Sequence, residues 1–199
     1  MNQSILKVTF DGIVNFKKSF YGGSCILYES TFEFASGVNM LIGDIDMKAR
    51  AISYIIPIRT ASIFHIYTQK FYAELRGEPI SRKELAKKSC FMTPGYFSRR
   101  KTVRQLVEKG LKKEKSSLTA EEVRDMFELD KGRFERRLNC TGNEVVRAMA
   151  AVAFSQGKDI ICFPWMTKAK FDSYNMNMPW ALDKLEALGK IIIFPRGKD

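Results

Sequence analysis

Side chains able to move a proton or hold a metal are scarce in this chain. Of its 199 residues one is a histidine, His65, set in the apolar and aromatic run Ile63-Phe64-His65-Ile66-Tyr67. An imidazole in such a run is more often packed or hydrogen-bonded than catalytic, so no acid-base role is assigned to it. The four cysteines, Cys25, Cys90, Cys140 and Cys162, are widely spaced and form no CxxC pair. With a single histidine beside them they do not supply a zinc cluster, and no metal site is expected. What the residue types do favour is attraction of anions. The net charge is +11, and between Arg82 and Lys115 twelve Lys or Arg stand against Glu84, Glu108 and Glu114, so this segment carries +9 of it. Arg99, Arg100, Lys101 and Arg104 are the residues expected to bind a partner there. Phe91, Tyr96 and Phe97 lie among the cations and would give nucleic-acid bases faces to stack on.

The elements that must carry these groups can be read from periodicity. At 45% hydrophobic and 12% aromatic the chain can bury one full core, as a single domain or one with an inserted subdomain. Charged residues make up 28%, no apolar run reaches membrane-spanning length, and the start MNQSILKVTF lacks a basic-then-apolar leader. A cytoplasmic protein without a span of its own is expected. Residues 4 to 43 read as antiparallel strands: Ile5, Lys7 and Thr9 alternate with Leu6, Val8 and Phe10, Gly22-Gly23 turns, and Cys25 to Phe34 runs extended. Gly37 to Gly43 reads as a buried strand entering a tight turn. Ala49 to Tyr54 and Ala61 to Leu75 read as helices, interrupted by Pro57.

A turn at Gly77-Glu78-Pro79 precedes a capping box at Ser81 and Glu84, and a short strand follows at Cys90-Phe91-Met92. Thr102 to Leu111 and Thr119 to Phe127 read as helices, the second opened by a box at Thr119 and Glu122. A third box, Thr141 to Glu144, is expected to open the alanine-rich helix Glu144 to Phe154. The apolar strand Asp159 to Phe163, a helix from Met178 or Pro179 to Leu188, and the strand Ile191 to Phe194 complete the chain. Helices between fully apolar strands imply a parallel sheet.

In this order the chain resembles the ATP-binding domain of ABC-type ATPases, a P-loop NTPase fold, over nearly its full length. Thr31-Phe32-Glu33-Phe34-Ala35-Ser36-Gly37 is similar to the strand and turn ahead of the phosphate loop, and Val38-Asn39-Met40-Leu41-Ile42-Gly43-Asp44 to the strand that delivers it. Thr141-Gly142-Asn143-Glu144, with Arg147 and Ala151-Val152-Ala153-Phe154 beyond, is similar to the signature segment and its helix. Gly157 to Phe163 takes the place of the strand before the catalytic carboxylates, and Gly189 to Ile193 that of the last strand before the switch histidine. The resemblance implies an α/β fold with an antiparallel β subdomain, a mainly parallel core sheet and a helical subdomain. Residues 1–76 and 155–199 would form the core and β subdomain and 77–154 the basic helical subdomain of one domain.

The family's chemistry does not follow the fold. A phosphate loop needs glycines to turn amides inward, a lysine for the terminal phosphates and a hydroxyl for magnesium. Here the loop reads Gly43-Asp44-Ile45-Asp46-Met47-Lys48-Ala49-Arg50-Ala51. The lysine position holds Ala49, the hydroxyl position Arg50, and Lys48 stands where a glycine belongs, while Asp44 and Asp46 would repel phosphate. The family's magnesium aspartate and water-orienting glutamate are replaced by Pro164 and Trp165. No glutamine lies near Phe91-Met92-Thr93-Pro94, and no histidine near Pro195, Arg196 or Gly197. Tyr21 alone could serve as the family's adenine-stacking aromatic. A catalytically degenerate homologue is therefore expected, with no catalytic residue and no required cofactor, although weak ATP binding stays open. It would act as a binding or regulatory subunit beside an active ATPase homologue or a transporter's membrane subunit, peripheral at the inner membrane face, and a dimer is one arrangement. Thr141, Gly142 and Asn143 would then complete a partner's nucleotide site. The alternative is a nucleic-acid-binding protein using residues 82–115.

Overall fold

The structure is a computed structural model and describes residues 5–15, 24–43, 48–57, 65–173 and 177–198. Alternation of apolar and polar residues builds an antiparallel sheet in which β1 (Leu6–Asn15) lies between β2 (Ser24–Phe34) and β4 (His65–Leu75), with the short β5 (Glu78–Pro79) beyond β4. Leu6, Val8 and Phe10 are fully buried on one face, while Thr9 meets Thr31 and Lys7 meets Glu33 on the other. Residues 65–75, expected to be helical, are the long strand β4. Their register explains the difference: Leu75, Ala73 and Phe71 stand opposite Leu6, Val8 and Phe10, a period of two that gains cross-strand pairing no isolated helix could match. Residues 61–64 lie outside the described part.

The strand from Gly37 leaves this sheet for a second one. β3 (Gly37–Ile42), β8 (Ile191–Arg196), β7 (Ile160–Cys162) and β6 (Ser89–Phe91) run parallel in the order β3-β8-β7-β6. Strands β7 and β8 are apolar on both faces, as a sheet covered on both sides requires. Ile160, Cys162, Ile191 and Ile193 face the antiparallel sheet across α1 (Lys48–Ile55) and α2 (Arg82–Lys88), packing with Leu6, Val8, Phe34, Ile52, Ile56 and Leu85. Ile161, Phe163, Ile192 and Phe194 face the helical side. That side is built from α3 (Val103–Glu114), α4 (Ala120–Met126), α5 (Lys131–Phe134), α6 (Val145–Ser155), α7 (Lys168–Asp172) and α8 (Asn177–Ala187). The fold is thus mixed α/β, one antiparallel and one parallel sheet with helices, as expected. No helix among the described residues is long and apolar enough to cross a membrane.

The helix starts test the capping arithmetic. Boxes form at Ser81/Glu84 and Thr119/Glu122, and another forms at Thr102/Gln105, where the sequence reading placed none. The box expected at Thr141/Glu144 does not form. Leu138–Cys140 makes a tight 3-10 turn, and the buried Thr141 hydroxyl donates to the Leu138 carbonyl at 2.8 Å instead of capping forward. Gly142–Glu144 is a second such turn, so α6 begins only at Val145, without a side-chain cap.

Helix α6 is almost wholly buried, and α3 meets its carboxyl end closely at one glycine. A Cβ on Gly110 would stand 2.7 Å from the Ser155 carbonyl oxygen. Gly110→Ala is therefore expected to destabilise the fold by about 1–3 kcal/mol by overpacking, against the gain of up to about 1 kcal/mol that alanine brings to a helix. Urea unfolding checks this. A neutral or stabilising result would mean that the two helices can separate freely.

Candidate functional site

The carboxyl ends of β3, β8 and β7 meet at one edge of the parallel sheet, where open α/β sheets bind their ligands. Main-chain bonds tie this edge together. The Gly43 amide, just past β3, donates to the Arg196 carbonyl at 2.9 Å, and the Gly197 amide, just past β8, donates to the Met166 carbonyl at 2.9 Å. Past the end of β7, the half-buried Trp165 spans the gap between the two. Its Nε1–H donates to the Gly43 carbonyl at 3.0 Å, and a Cβ on Gly197 would lie 3.2 Å from its ring. The indole thus crosses from β7, past the end of β8, to the point where the loop after β3 departs. Pro164 beside it is also half-buried.

The loop residues Asp44 to Met47 lie outside the described residues, as does Tyr21, and so does the side chain of Ala49. Lys48 opens α1 with an exposed side chain. Arg50 is only 3% exposed. Its guanidinium is hydrogen-bonded to Tyr54, whose hydroxyl is pushed above the ordinary tyrosine range by burial and partly restored by that cation. The Tyr54 ring packs on Phe91 at 4.5 Å between centroids. Arg50 is thus a packed residue of α1. Arg196, at the end of β8, has a buried Nε with no hydrogen-bond partner among the described residues. Sequence reasoning had no signal for the Trp165 to Gly43 bond, since it joins residues 122 positions apart.

The signature-like residues are occupied within the chain. Thr141 points inward, and Arg133 gathers both Asn143, through its Oδ1, and Glu144, at 3.0 Å. Glu144 also accepts from the Asp130 amide at 3.1 Å. Gly142 is exposed, in the left-handed region at φ +63°, with open space where a Cβ would stand.

The basic residues separate into two groups. Arg99 and Arg100 are exposed in the stretch before α3, which starts at Val103, so Arg100 does not share a helix face with Arg104. Arg104 is held by Glu121 and Glu135 at 2.5 Å each and by Glu108 at 3.6 Å, and it lies over the Phe134 ring. It fastens α3 to α4 and α5. The aromatics present little open ring surface to a nucleic-acid strand. Phe97 is 6% exposed, the Tyr96 hydroxyl donates to the Ser89 carbonyl at 3.2 Å, and Phe91 packs on Tyr54. Cys90 and Cys162 are buried, and burial pushes the Cys90 thiol up to about 12 and the Cys162 thiol well above its ordinary value, which leaves neither a usable nucleophile.

No family model matches the chain, and no curated protein sequence matches it. Solved structures do. A putative ABC transporter ATP-binding protein from Pyrococcus furiosus superposes with a TM-score of 0.60 at 14% identity, over 98% of this chain and 92% of that one. The ATP binding subunit of an ABC transporter gives 0.58 at 13%, over 98% and 80%. A bacterial Atm1-family ABC exporter with ATP bound gives 0.57 at 15%, over 99% of this chain and 35% of the exporter. Identities this low speak for the fold alone.

Proposed function

We propose that this chain, whose fold is that of ABC transporter ATP-binding proteins, is a non-hydrolysing homologue serving as a binding or regulatory subunit of a transporter-like assembly. The observation that carries the reading is the indole of Trp165 bonded to the Gly43 carbonyl. It lies at the edge where the resemblance puts the magnesium aspartate and the water-orienting glutamate. An indole N–H donates and cannot take a proton from water, and proline beside it has no side-chain polar group. Ala49 and Arg50, in the lysine and hydroxyl positions, remove the other two contacts a magnesium nucleotide uses.

The partner on this reading is an active ATPase homologue or a membrane subunit, and the exposed Arg99 and Arg100 are the cations that meet it. The nucleic-acid reading loses support because Phe97 is buried and Phe91 packs on Tyr54, which leaves the half-buried Tyr96 as the most open of its three stacking residues. A tagged full chain drawn from native membranes is expected to recover an ABC-type ATPase or a membrane subunit. Arg99→Glu with Arg100→Glu should reduce that recovery about tenfold, as loss of close charge pairs at an interface does. Recovery of nucleic acid alone, or of the chain with neither partner, overturns the reading.

A further inference from the structure

A second concavity lies far from the indole-crossed edge. It opens between the stretch 96–101, α3 and the turn after α6, beside residues that immediately precede β7 and hence at the amino end of the sheet. Its volume is about 320 Å³. Four lysines line it, Lys101, Lys109, Lys113 and Lys158, and no Asp or Glu is among its lining residues. Lys158 is 6% exposed and fixed by its Nζ donating to the Lys87 carbonyl at 2.5 Å. Lys113 pairs with Glu114 at 2.8 Å, and that carboxylate lies against Gly157, between the lining residues Gln156 and Lys158. Neither Lys101 nor Lys109 has an ion pair among the described residues.

The arrangement gathers lysines from separate elements on one cleft. Lys109 and Lys113 are one turn apart on α3, a spacing at which like charges repel. The fold also concentrates them, because Gly110 between them brings α3 against the carboxyl end of α6 and so places Lys158 on the opposite wall. Tyr96, Phe97 and Leu106 form an apolar part of the lining. Lysines from the stretch 96–101, from α3 and from the turn after α6 suit a phosphate, to which an ammonium donates a charge-assisted bond. The apolar wall suits a ring or hydrocarbon carried on that phosphate, and the volume is at the small end of ligand pockets.

We propose that this cleft binds a small organic monophosphate, with the phosphate among Lys101, Lys109, Lys113 and Lys158 and an apolar or aromatic body against Tyr96, Phe97 and Leu106. The phosphate is held by charge and the body by burial, so a ligand with both parts binds more tightly than one with either. Titration calorimetry of the full chain with 1-naphthyl phosphate, 1-naphthol and inorganic phosphate tests this. The first is expected to bind with a Kd on the order of 0.1 mM and at least about tenfold more tightly than the other two. Lys101→Gln with Lys109→Gln should weaken it about tenfold, whereas Lys112→Gln with Lys115→Gln, an equal loss of charge on exposed residues outside the cleft, should change it less than about twofold. Near-ultraviolet circular dichroism of each variant confirms folding, and Lys109→Gln alone, at an exposed site, serves if the double variant unfolds. No binding of 1-naphthyl phosphate overturns the proposal. So does equal binding of inorganic phosphate, equal loss in both double variants, or binding that the cleft variants leave intact, which would place the phosphate elsewhere.

Discussion

Incubated with magnesium and ATP, the purified chain alone is expected to release phosphate no faster than a protein-free blank. Ordinary turnover of about 1 per second or more needs magnesium held by protein oxygens and a water oriented by a carboxylate. A positioned acid or base contributes about 10²- to 10⁴-fold, and electrostatic stabilisation of the transferring phosphoryl group a comparable factor. On the proposed reading Trp165 and Arg50 stand where both would come from, and the structure has one donating to Gly43 and the other buried with Tyr54. The deficits multiply, so restoring one leaves the rest. Ala49→Lys returns a cation but neither the metal hydroxyl nor the carboxylate, and its rate should equal that of the parent chain. Turnover near 1 per second in the parent, or its appearance with Ala49→Lys alone, would mean that the motifs are placed on the wrong residues.

The parts of the fold that could be read in the sequence are those set by continuous apolar runs. Strands β7 and β8 and helix α6 are of this kind, since burial on nearly every side leaves few polar side chains to obscure the period. Strand β3 reads as buried from its sequence, yet it leaves Met40 and Ile42 exposed. Strand β4 was harder. Its outer face carries Lys70, Tyr72 and Glu74 and its inner face Phe71, Ala73 and Leu75, a mixture that also reads as one helical stripe until the pairing with β1 decides it. At the site, the resemblance could be followed residue by residue because each motif-like segment is contiguous in sequence. The contacts those segments make were not legible. Trp165 with Gly43, and Arg104 with Glu121 and Glu135, join residues from separate elements, and no local spacing encodes those meetings. The boxes at Thr102 and Thr141 teach the same lesson in miniature: each offers a hydroxyl and a carbonyl or carboxylate three residues on, and the preceding chain decides which hydroxyl is free to turn forward.

Removing the indole should cost the fold more than any other single change at this edge. Trp165→Ala deletes a half-buried ring against Gly197 and strips the Gly43 carbonyl of its donor. A fully buried aromatic truncated to alanine costs about 3–5 kcal/mol, and a net hydrogen bond about 1 kcal/mol. Because this ring is only half-buried, about 2–3 kcal/mol is expected for Trp165→Ala and about 1–2 kcal/mol for Trp165→Phe, which keeps most of the ring and loses the bond. Urea unfolding followed by far-ultraviolet circular dichroism measures both, with an unchanged slope showing that the unfolded state is not involved. Hydrogen exchange adds a local readout. The Gly43 and Gly197 amides, bonded to Arg196 and Met166, should lose protection in the alanine variant before the core strand β7 does. If Trp165→Ala falls within about 0.5 kcal/mol of the parent, the scatter of surface substitutions, the indole does not hold this edge together. If Trp165→Phe is as costly as Trp165→Ala, the bond to Gly43 outweighs the packing of the ring, and the loop after β3 is held to β7 by one N–H.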